Sequence, residues 1–491
     1  MIQKTDKDFI EPYLKDASNF AGNASILFIP ENTEELQEII SDCYKKNIRI
    51  TISGARTGLT GSAVPLEGAI ISMEKLNKII KIDSEKETAT LQPGVVIADF
   101  QDEIKQQGFF YAPNPTETNS TIGGNVSTAA SGARTFKYGT TRDFIKQLSI
   151  LLANGDSLKL NRGEIFENDG IIKIRTEQDN EYIIPIHDIN MPNVKHAAGY
   201  YLKNSMDAID LFIGSEGTLG IVAEIEVGIV KIPEKILGLI VFFDNEEKML
   251  DFVVSVRTNS INNNDIKYDT NKDISARLIE FFDNKSLGIL RQKFPQIPEN
   301  CAGAIWVEQE YSSNNEDVVL TKWYEIINKY TSFSDSTWTA LNESEHKRLM
   351  EFRHELPLQV YELISKFNSI KIGTDSSVPP KYLKEYYYFL KEQLENSGLI
   401  YFLWGHIGNS HFHANLLSKD DSELLKAKVI YRNCIAKALE YGGTVSAEHG
   451  IGKMKKEYLL QMYGEEKIGY MKKIKNALDP KSALGSGNMF L

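Results

Sequence analysis

Cysteine is scarce. The 491 residues hold three, Cys43, Cys301 and Cys434, far apart and in no Cys-x-x-Cys pair. That excludes an iron–sulfur ligand set or a thiolate zinc site on this chain and argues against a disulfide framework. Surplus positive charge is missing as well. With 55 Lys and Arg against 67 Asp and Glu, the formal net charge is −12, so no nucleic acid partner is expected. A small anionic substrate is unaffected by that total, because its site can be locally positive. No run of 18 uncharged apolar residues occurs, and the opening MIQKTDKDFIEPYLKD lacks the apolar core of a signal peptide. The expectation is a cytoplasmic protein, with peripheral attachment to a membrane through an electron acceptor left open. Repeats, low-complexity tracts, the GxGxxG fingerprint and the P-loop are all absent.

The length calls for two or more domains. Residues 1–21 read as a leading helix. Strand Ile26–Pro30, a helix through Leu36, Ile39 and Ile40 capped by Thr33, and strand Ile48–Ile52 follow. Further strands are expected at Ala69–Met73, Thr88–Leu91, Gln147–Leu152, Ser157–Leu160 and Ile221–Val230. A helix from Ile97 to Gln107 stops at Gly108. Pro113 to Gly139 reads as a long functional loop. Pro233 marks a boundary, after which strands (Ile236–Phe243, Ala302–Gln309) alternate with helices (Glu247–Arg257, Val318–Tyr330). The fold class is α+β, divided as 1–21, 22–231, 232–430 and a mostly helical 431–491.

Three stretches are dense in Gly, Ser and Thr. They are Ser53-Gly54-Ala55-Arg56-Thr57-Gly58-Leu59-Thr60-Gly61, Thr121-Ile122-Gly123-Gly124-Asn125 with its continuation through Thr128 to Gly132, and Gly214-Ser215-Glu216-Gly217-Thr218-Leu219-Gly220 before Ile221. Glycine lets backbone N–H groups approach a ligand and turn inward, which suits a pyrophosphate. One such loop alone is better read as tight turns.

Near the other end, Leu399–Leu417 reads LIYFLWGHIGNSHFHANLL. As a hairpin about Gly408-Asn409-Ser410, it puts His411, His413 and Asn415 on one face, with His406 opposite. Glu448 and His449 follow in a second glycine-rich segment. Two imidazoles and a carboxylate with open positions are the makings of a catalytic metal site.

These segments, with Pro113-Asn114-Pro115-Thr116-Glu117-Thr118 and Tyr138-Gly139-Thr140-Thr141-Arg142-Asp143, resemble the FAD-binding domain of the vanillyl-alcohol-oxidase (PCMH-type) superfamily over about residues 22–231. The resemblance implies that the first loop holds the pyrophosphate, that Pro113, Thr118, Thr121, Gly123, Gly124, Asn125, Thr128, Gly132, Tyr138 and Gly139 wrap the flavin and its phosphates, and that the Glu216-Gly217 segment contacts the adenine half. No histidine stands in the first loop, so FAD is expected to bind noncovalently. The later region resembles D-lactate dehydrogenases, glycolate oxidase flavin subunits and D-2-hydroxyglutarate dehydrogenases, with their His-x-Gly-Asp-Gly-Asn-x-His and Glu-His-Gly motifs. By that resemblance His406, His413 and Glu448 bind a divalent metal, zinc or manganese, Asn415 contacts substrate and His449 is the base. Arg353, in Leu349-Met350-Glu351-Phe352-Arg353, is the match for the arginine that clamps the substrate carboxylate. Asn409, Ser410 and His411 depart from the motif, which gives His411 an outer or packing role before a ligand role. Gly373 stands where the hydroxyglutarate enzymes have a lysine. The tail Gly485-Ser486-Gly487-Asn488 departs from the family ending, which puts its contact with the flavin in doubt.

The resemblance therefore implies FAD-dependent oxidation of a small D-2-hydroxy acid, of the D-lactate or glycolate class, to the 2-keto acid. The reoxidant is a quinone, a cytochrome, an electron-transfer flavoprotein or a separate iron–sulfur subunit, and a homodimer is compatible with the sequence. The alternatives are a D-2-hydroxyglutarate dehydrogenase, an ether-lipid-synthase-like flavoenzyme (whose histidine run this chain lacks) and a flavin-binding scaffold subunit with a decayed metal site.

Overall fold

In the computed structural model, which describes residues 1–263 and 273–490, three sheets organise the chain. Strands Ile26–Ile29, Ala69–Ser72 and Ile50–Ser53 run parallel with Ala69–Ser72 in the middle. Ala69, Ile70 and Ile71 are fully buried, as the apolar run of a strand covered on both faces should be. Helix Thr33–Lys45 makes the crossover and lays Leu36, Ile39, Ile40 and Cys43 on the sheet. Its cap is Asn32, whose Oδ1 accepts from Glu35 N at 2.8 Å, and Thr33 is already the first helical residue.

The leading segment differs from the helix expected over 1–21. Ile2–Lys4 pairs antiparallel with Leu27–Ile29, and helical turns are confined to Lys7–Ile10 and Glu11–Tyr13. The open edge of Ile26–Ile29 presents backbone groups that need partners, and the first residues supply them.

The second sheet is antiparallel, in the order Ile79–Asp83, Thr88–Leu91, Ile221–Gly228, Ile145–Leu151, Ser157–Asn161. A turn at Asn154-Gly155 joins its last two strands. The stretch from Pro113 to Gly139 is less irregular than expected. It contains short helices at Ile122–Ser127 and Thr135–Tyr138, the first capped by Thr121 Oγ1, which accepts from Gly124 N at 3.3 Å.

Beyond Pro233 lies an eight-stranded antiparallel sheet. Its order is Trp338–Ala340, Lys235–Phe243, Gly303–Tyr311, Ala276–Asp283, Ile400–Gly405, His411–Ser418, Ile370–Gly373, with Ser376–Ser377 also on His411–Ser418. Helices Glu246–Asn263, Glu316–Tyr330, Leu383–Glu395 and Asp421–Glu440 cover one face. Helices Asn284–Leu290 and Glu343–Phe367 cover part of the other. Residue 431, expected to open the C-terminal segment, lies inside helix Asp421–Glu440, which packs on this sheet. The chain leaves the sheet only after Thr444, which bridges Ser377. Helix Lys456–Leu478, kinked at Gly464, then packs Leu459, Met471 and Ile474 into the core shared with the second sheet. Leu491, which ends that segment, lies outside the described residues. Among the described residues no helix is long and apolar enough to cross a membrane.

Candidate active site

The three glycine-rich loops converge on one cleft. Gly54, Ala55, Arg56, Thr57 and Gly58 line it from the first loop, and Thr121, Gly123, Gly124, Asn125 and Thr128 from the second. Glu216, Gly217, Gly220 and Ile221 line it from the third. Asn125 Nδ2 and Ser120 Oγ are buried there without hydrogen-bond partners. A cleft of small residues with unpartnered donors fits a ligand rich in acceptors, as a flavin dinucleotide is. Ser62, Ala63, Met73 and Pro93 also line it and carried no sequence signal.

Several expected residues lie outside that lining. Ser53, Thr60 and Gly61 are buried away from it, and Leu59 projects outward at 39% exposure. Pro113 is buried and Gly132 packs on the backbone of Asn114, while Thr118 is exposed. Tyr138 turns its hydroxyl to Glu310 on the eight-stranded sheet, and Gly139, at φ 90°, ends its helix. The Glu216 carboxylate is committed elsewhere. It accepts from Ile451 N and Gly452 N, each at 2.7 Å. The C-terminal tail does reach the cleft: Gly485 and Asn488 line it, and Asn488 Nδ2 donates to Ser62 O at 3.0 Å and Glu216 O at 3.1 Å.

The hairpin forms as its alternation requires, Ile400–Gly405 against His411–Ser418, with Trp404 opposite His413. His406 Nε2 lies 3.4 Å and His413 Nε2 3.3 Å from the same oxygen, Glu448 Oε1. Ligand atoms about 3.3 Å apart are what a tetrahedral ion with bonds of about 2.0–2.1 Å requires. The far side of each ring is also fixed. His406 Nδ1 lies 2.5 Å from Glu280 Oε1, and His413 Nδ1 lies 3.3 Å from the carbonyl of Thr374. Protons on both Nδ1 atoms leave both Nε2 lone pairs facing Glu448, and His406 Nε2 is buried without a hydrogen-bond partner. Burial works against charge on His406, but Glu280 outweighs it and raises the ring's basicity, the pairing that strengthens a metal-binding imidazole. The donor set fits a divalent ion.

Asp375, fully buried, is the hub beneath this set. Its oxygens accept from Glu448 N at 3.1 Å, His449 N at 3.0 Å, Ser446 Oγ at 2.7 Å and Lys455 Nζ at 2.8 Å. His449 Nδ1 lies 3.3 Å from Oδ2, and His411 Nε2 lies 3.0 Å from Oδ1. Burial pushes the His449 pKa down to about 4 against the pull of Asp375, so near neutrality the ring is a neutral imidazole able to take a proton. His411 also has a ring nitrogen within 4.8 Å of the ligand atoms of His406, His413 and Glu448, but both its nitrogens face other groups. Its Nδ1 faces Lys195 Nζ at 3.5 Å, and burial keeps its pKa well below the usual histidine value.

Lys195 was not signalled by the sequence. It comes from the loop before Tyr200, and its Nζ donates to Glu448 Oε2 at 2.6 Å. Glu280, Lys455 and the hub role of Asp375 were missed too, because each pairing spans a separation that local pattern does not encode. Burial drives the Glu448 pKa up, but Lys195 and His406 more than reverse it and hold the carboxylate well below its usual value. Arg353 is 6% exposed, not a surface arginine. Its Nε lies 3.3 Å from Glu280 Oε2, and its Nη1 is buried without a partner. Asn415 is buried two residues along from His413, with Nδ2 on the His413 carbonyl at 3.0 Å and Oδ1 toward Gly373.

Cleft and cluster share a wall. Thr60 Oγ1 donates to His449 O at 3.3 Å, and Thr60 O accepts from Lys453 N at 2.9 Å. Gly452 sits at φ 52° with its Cβ position 2.1 Å from Thr60 O, so only glycine lets the two segments close.

Residues 24–161 match the family model for an FAD binding domain, and residues 232–489, just over half of the chain, match that for the C-terminal domain of FAD linked oxidases. A glycolate oxidase subunit of Bacillus subtilis is 29% identical, covering 94% of this chain and 88% of its own length. A D-lactate dehydrogenase of Anaerostipes hadrus is 27% identical over 98% and 92%, and a D-2-hydroxyglutarate dehydrogenase of Stutzerimonas stutzeri 26% over 99% and 95%. Among solved structures, 4-ethylphenol oxidase from Gulosibacter chungangensis shares the fold at a TM-score of 0.69 and 14% identity, covering 99% of this chain and 94% of that one. An alkyldihydroxyacetonephosphate synthase does so at 0.67 and 15%, over 98% and 81%. With its PCMH-type α+β fold and its FAD-binding domain, the chain belongs to the FAD-linked oxidase family of oxidoreductases.

Proposed function

We propose that the protein oxidises a small D-2-hydroxy acid, of the D-lactate or glycolate class, to the corresponding 2-keto acid. The observation that carries this reading is the convergence of His406 Nε2, His413 Nε2 and Glu448 Oε1, at 3.3–3.4 Å, beside a neutral His449 and against the wall of the flavin cleft. The relatives at 26–29% identity include glycolate, D-lactate and D-2-hydroxyglutarate enzymes, all acting on 2-hydroxy acids. Gly373, in place of a longer basic side chain, favours the smaller monocarboxylates.

His406, His413 and Glu448 would hold a divalent ion, zinc or manganese, which supplies Lewis acidity toward a hydroxyl oxygen. Noncovalently bound FAD supplies the hydride acceptor. The chain's own residues do the rest. Arg353, anchored through Nε to Glu280, offers its unpartnered Nη1 to the substrate carboxylate. Asn415 adds a polar contact from the same hairpin. Asp375 fixes Nδ1 of His449, so Nε2 is the nitrogen left to take the hydroxyl proton as the C2 hydrogen departs with its electron pair. The electrons then pass to an acceptor outside this chain, which lacks cysteine pairs for a cluster of its own.

Anaerobic mixing of the metal-replete holoprotein with D-lactate, glycolate, D-2-hydroxybutyrate and D-2-hydroxyglutarate tests the reading. Bleaching of the flavin by a monocarboxylate, lost in His449→Ala, is expected. No bleaching by any of the four overturns it.

A further inference from the structure

Three carboxylates are buried at the reaction centre, and each has one buried cation. Glu280 has Arg353 at 3.3 Å, Asp375 has Lys455 at 2.8 Å, and Glu448 has Lys195 at 2.6 Å. These three carboxylates and three cations together sum to zero charge. Only the third pair falls on a residue that faces the imidazole pair. The two oxygens of Glu448 are divided: Oε1 faces His406 and His413, and Oε2 faces Lys195. The Lys195 side chain is 1% exposed, so solvent does little to screen its charge. Its position is built in. Two residues on, Ala197 N donates to Ser446 O at 2.9 Å, which runs the lysine-bearing loop along the strand of chain that carries Glu448. His411 Nδ1, 3.5 Å from Nζ, props the ammonium from the other side while Nε2 of the same ring lies on Asp375.

We propose that Lys195 sets the charge of the reaction centre. By holding Oε2 it leaves Glu448 a single oxygen for the divalent ion, and by cancelling the carboxylate's charge it leaves the full double charge of the ion to face the substrate. A 2-hydroxy acid losing its hydroxyl proton carries two negative charges, one on the carboxylate and one on the developing alkoxide, and a doubly positive centre matches that form. The same arrangement accounts for His411, whose two ring nitrogens face the lysine and Asp375. This inference rests on the reading of His406, His413 and Glu448 as the metal set.

The signature is that metal affinity and turnover move in opposite directions when the lysine charge is removed. Freed of its partner, Glu448 can offer both oxygens and its full charge to the ion, so the ion binds more tightly and polarises substrate less. A lysine that merely held the structure would weaken both together, as loss of a supporting contact around a metal does. The test uses full-length flavoprotein stripped of metal. Zinc affinity is measured by competition with a chromophoric chelator, and flavin reduction by D-lactate is followed anaerobically. Lys195→Met is expected to bind zinc about tenfold more tightly and to reduce its flavin about a hundredfold more slowly. Lys195→Arg, which keeps the charge, stays within about threefold of the unaltered protein in zinc affinity. Should Lys195→Met fail to fold, Lys195→Gln, which keeps a donor toward Oε2, carries the same expectation. Zinc affinity that is unchanged or weaker in the uncharged variant overturns the proposal, as does failure of the unaltered apoprotein to take up zinc. Tighter zinc in the variant, with no reduction of the unaltered flavoprotein by any 2-hydroxy acid, leaves the role of Lys195 standing and sinks the substrate reading instead.

Discussion

Asp375 Oδ2 lies 3.3 Å from His449 Nδ1 and also accepts from the His449 backbone at 3.0 Å, so one buried carboxylate fixes both the ring and the chain that carries it. Asp375→Asn should therefore cost far more than one hydrogen bond. The amide can present its N–H side to the ring and stabilise the wrong tautomer, a change that lowers turnover by about 10²–10⁴-fold in comparable dyads. It also leaves Lys455 without its partner, which costs about 3–5 kcal/mol of stability. Steady-state rates and urea denaturation measure the two effects. Turnover within threefold of the unaltered enzyme would remove the orienting role.

Removal of metal should separate the two halves of the site. None of His406, His413 and Glu448 lines the flavin cleft, so dialysis against a strong chelator is expected to leave the flavin absorbance in place. Turnover should fall at least about a hundredfold and return with zinc or manganese. An ion at a thousand times its dissociation constant adds about 4 kcal/mol to the folded state, so the melting temperature should fall with it. Full activity in protein shown by elemental analysis to be metal-free would count decisively against the metal set.

Arg353→Ala should raise KM by about 10–100-fold, the worth of one charged hydrogen bond to a carboxylate. Because Glu280 then loses its cation and His406 depends on Glu280, kcat should drop as well. Arg353→Lys restores the charge without the planar fork and should recover kcat more than KM. A KM unmoved by either substitution would move the carboxylate clamp elsewhere.

How far the sequence reaches is visible in these same residues. The alternation in His411-Phe412-His413-Ala414-Asn415 determines which side chains share a face, and the turn at Gly408-Asn409-Ser410 determines that His406 meets them, so the nearness of the histidines was legible from a local pattern, whereas Glu448 was added by the family resemblance. The buried partners were not. Lys195 meets Glu448 across 253 positions and Glu280 meets His406 across 126, and no local period encodes such a pairing. The early strand Ile2–Lys4 was hidden for a related reason: its structure comes from an open sheet edge and not from its own residues. Likewise Tyr138 and Glu216 were assigned to the cofactor from motif position, whereas their polar atoms are taken by Glu310 and by the backbone of Ile451 and Gly452.

His346 offers a pH-dependent element away from the reaction centre. Its Nε2 lies 3.0 Å from the Ile236 carbonyl and its Nδ1 3.6 Å from Glu308 Oε1, with Arg277 on the far side of that carboxylate. Burial lowers the ring's pKa and Arg277 adds to that, but Glu308 and the carbonyl outweigh both, and the pKa is raised above 6.5. A raised folded value means that the stabilisation is fully present below pH 6.5 and is lost as pH climbs through the folded pKa. Between about pH 6 and pH 8, the melting temperature should therefore fall more for the unaltered protein than for His346→Gln. Parallel profiles for the two would refute the assignment.

Glu216 closes on Ile451 and Gly452, and Asn488 closes on Ser62, so the wall between the nucleotide cleft and the chemistry joins segments 235 to 426 positions apart, and whatever orders one side of it also orders the backbone beside His449.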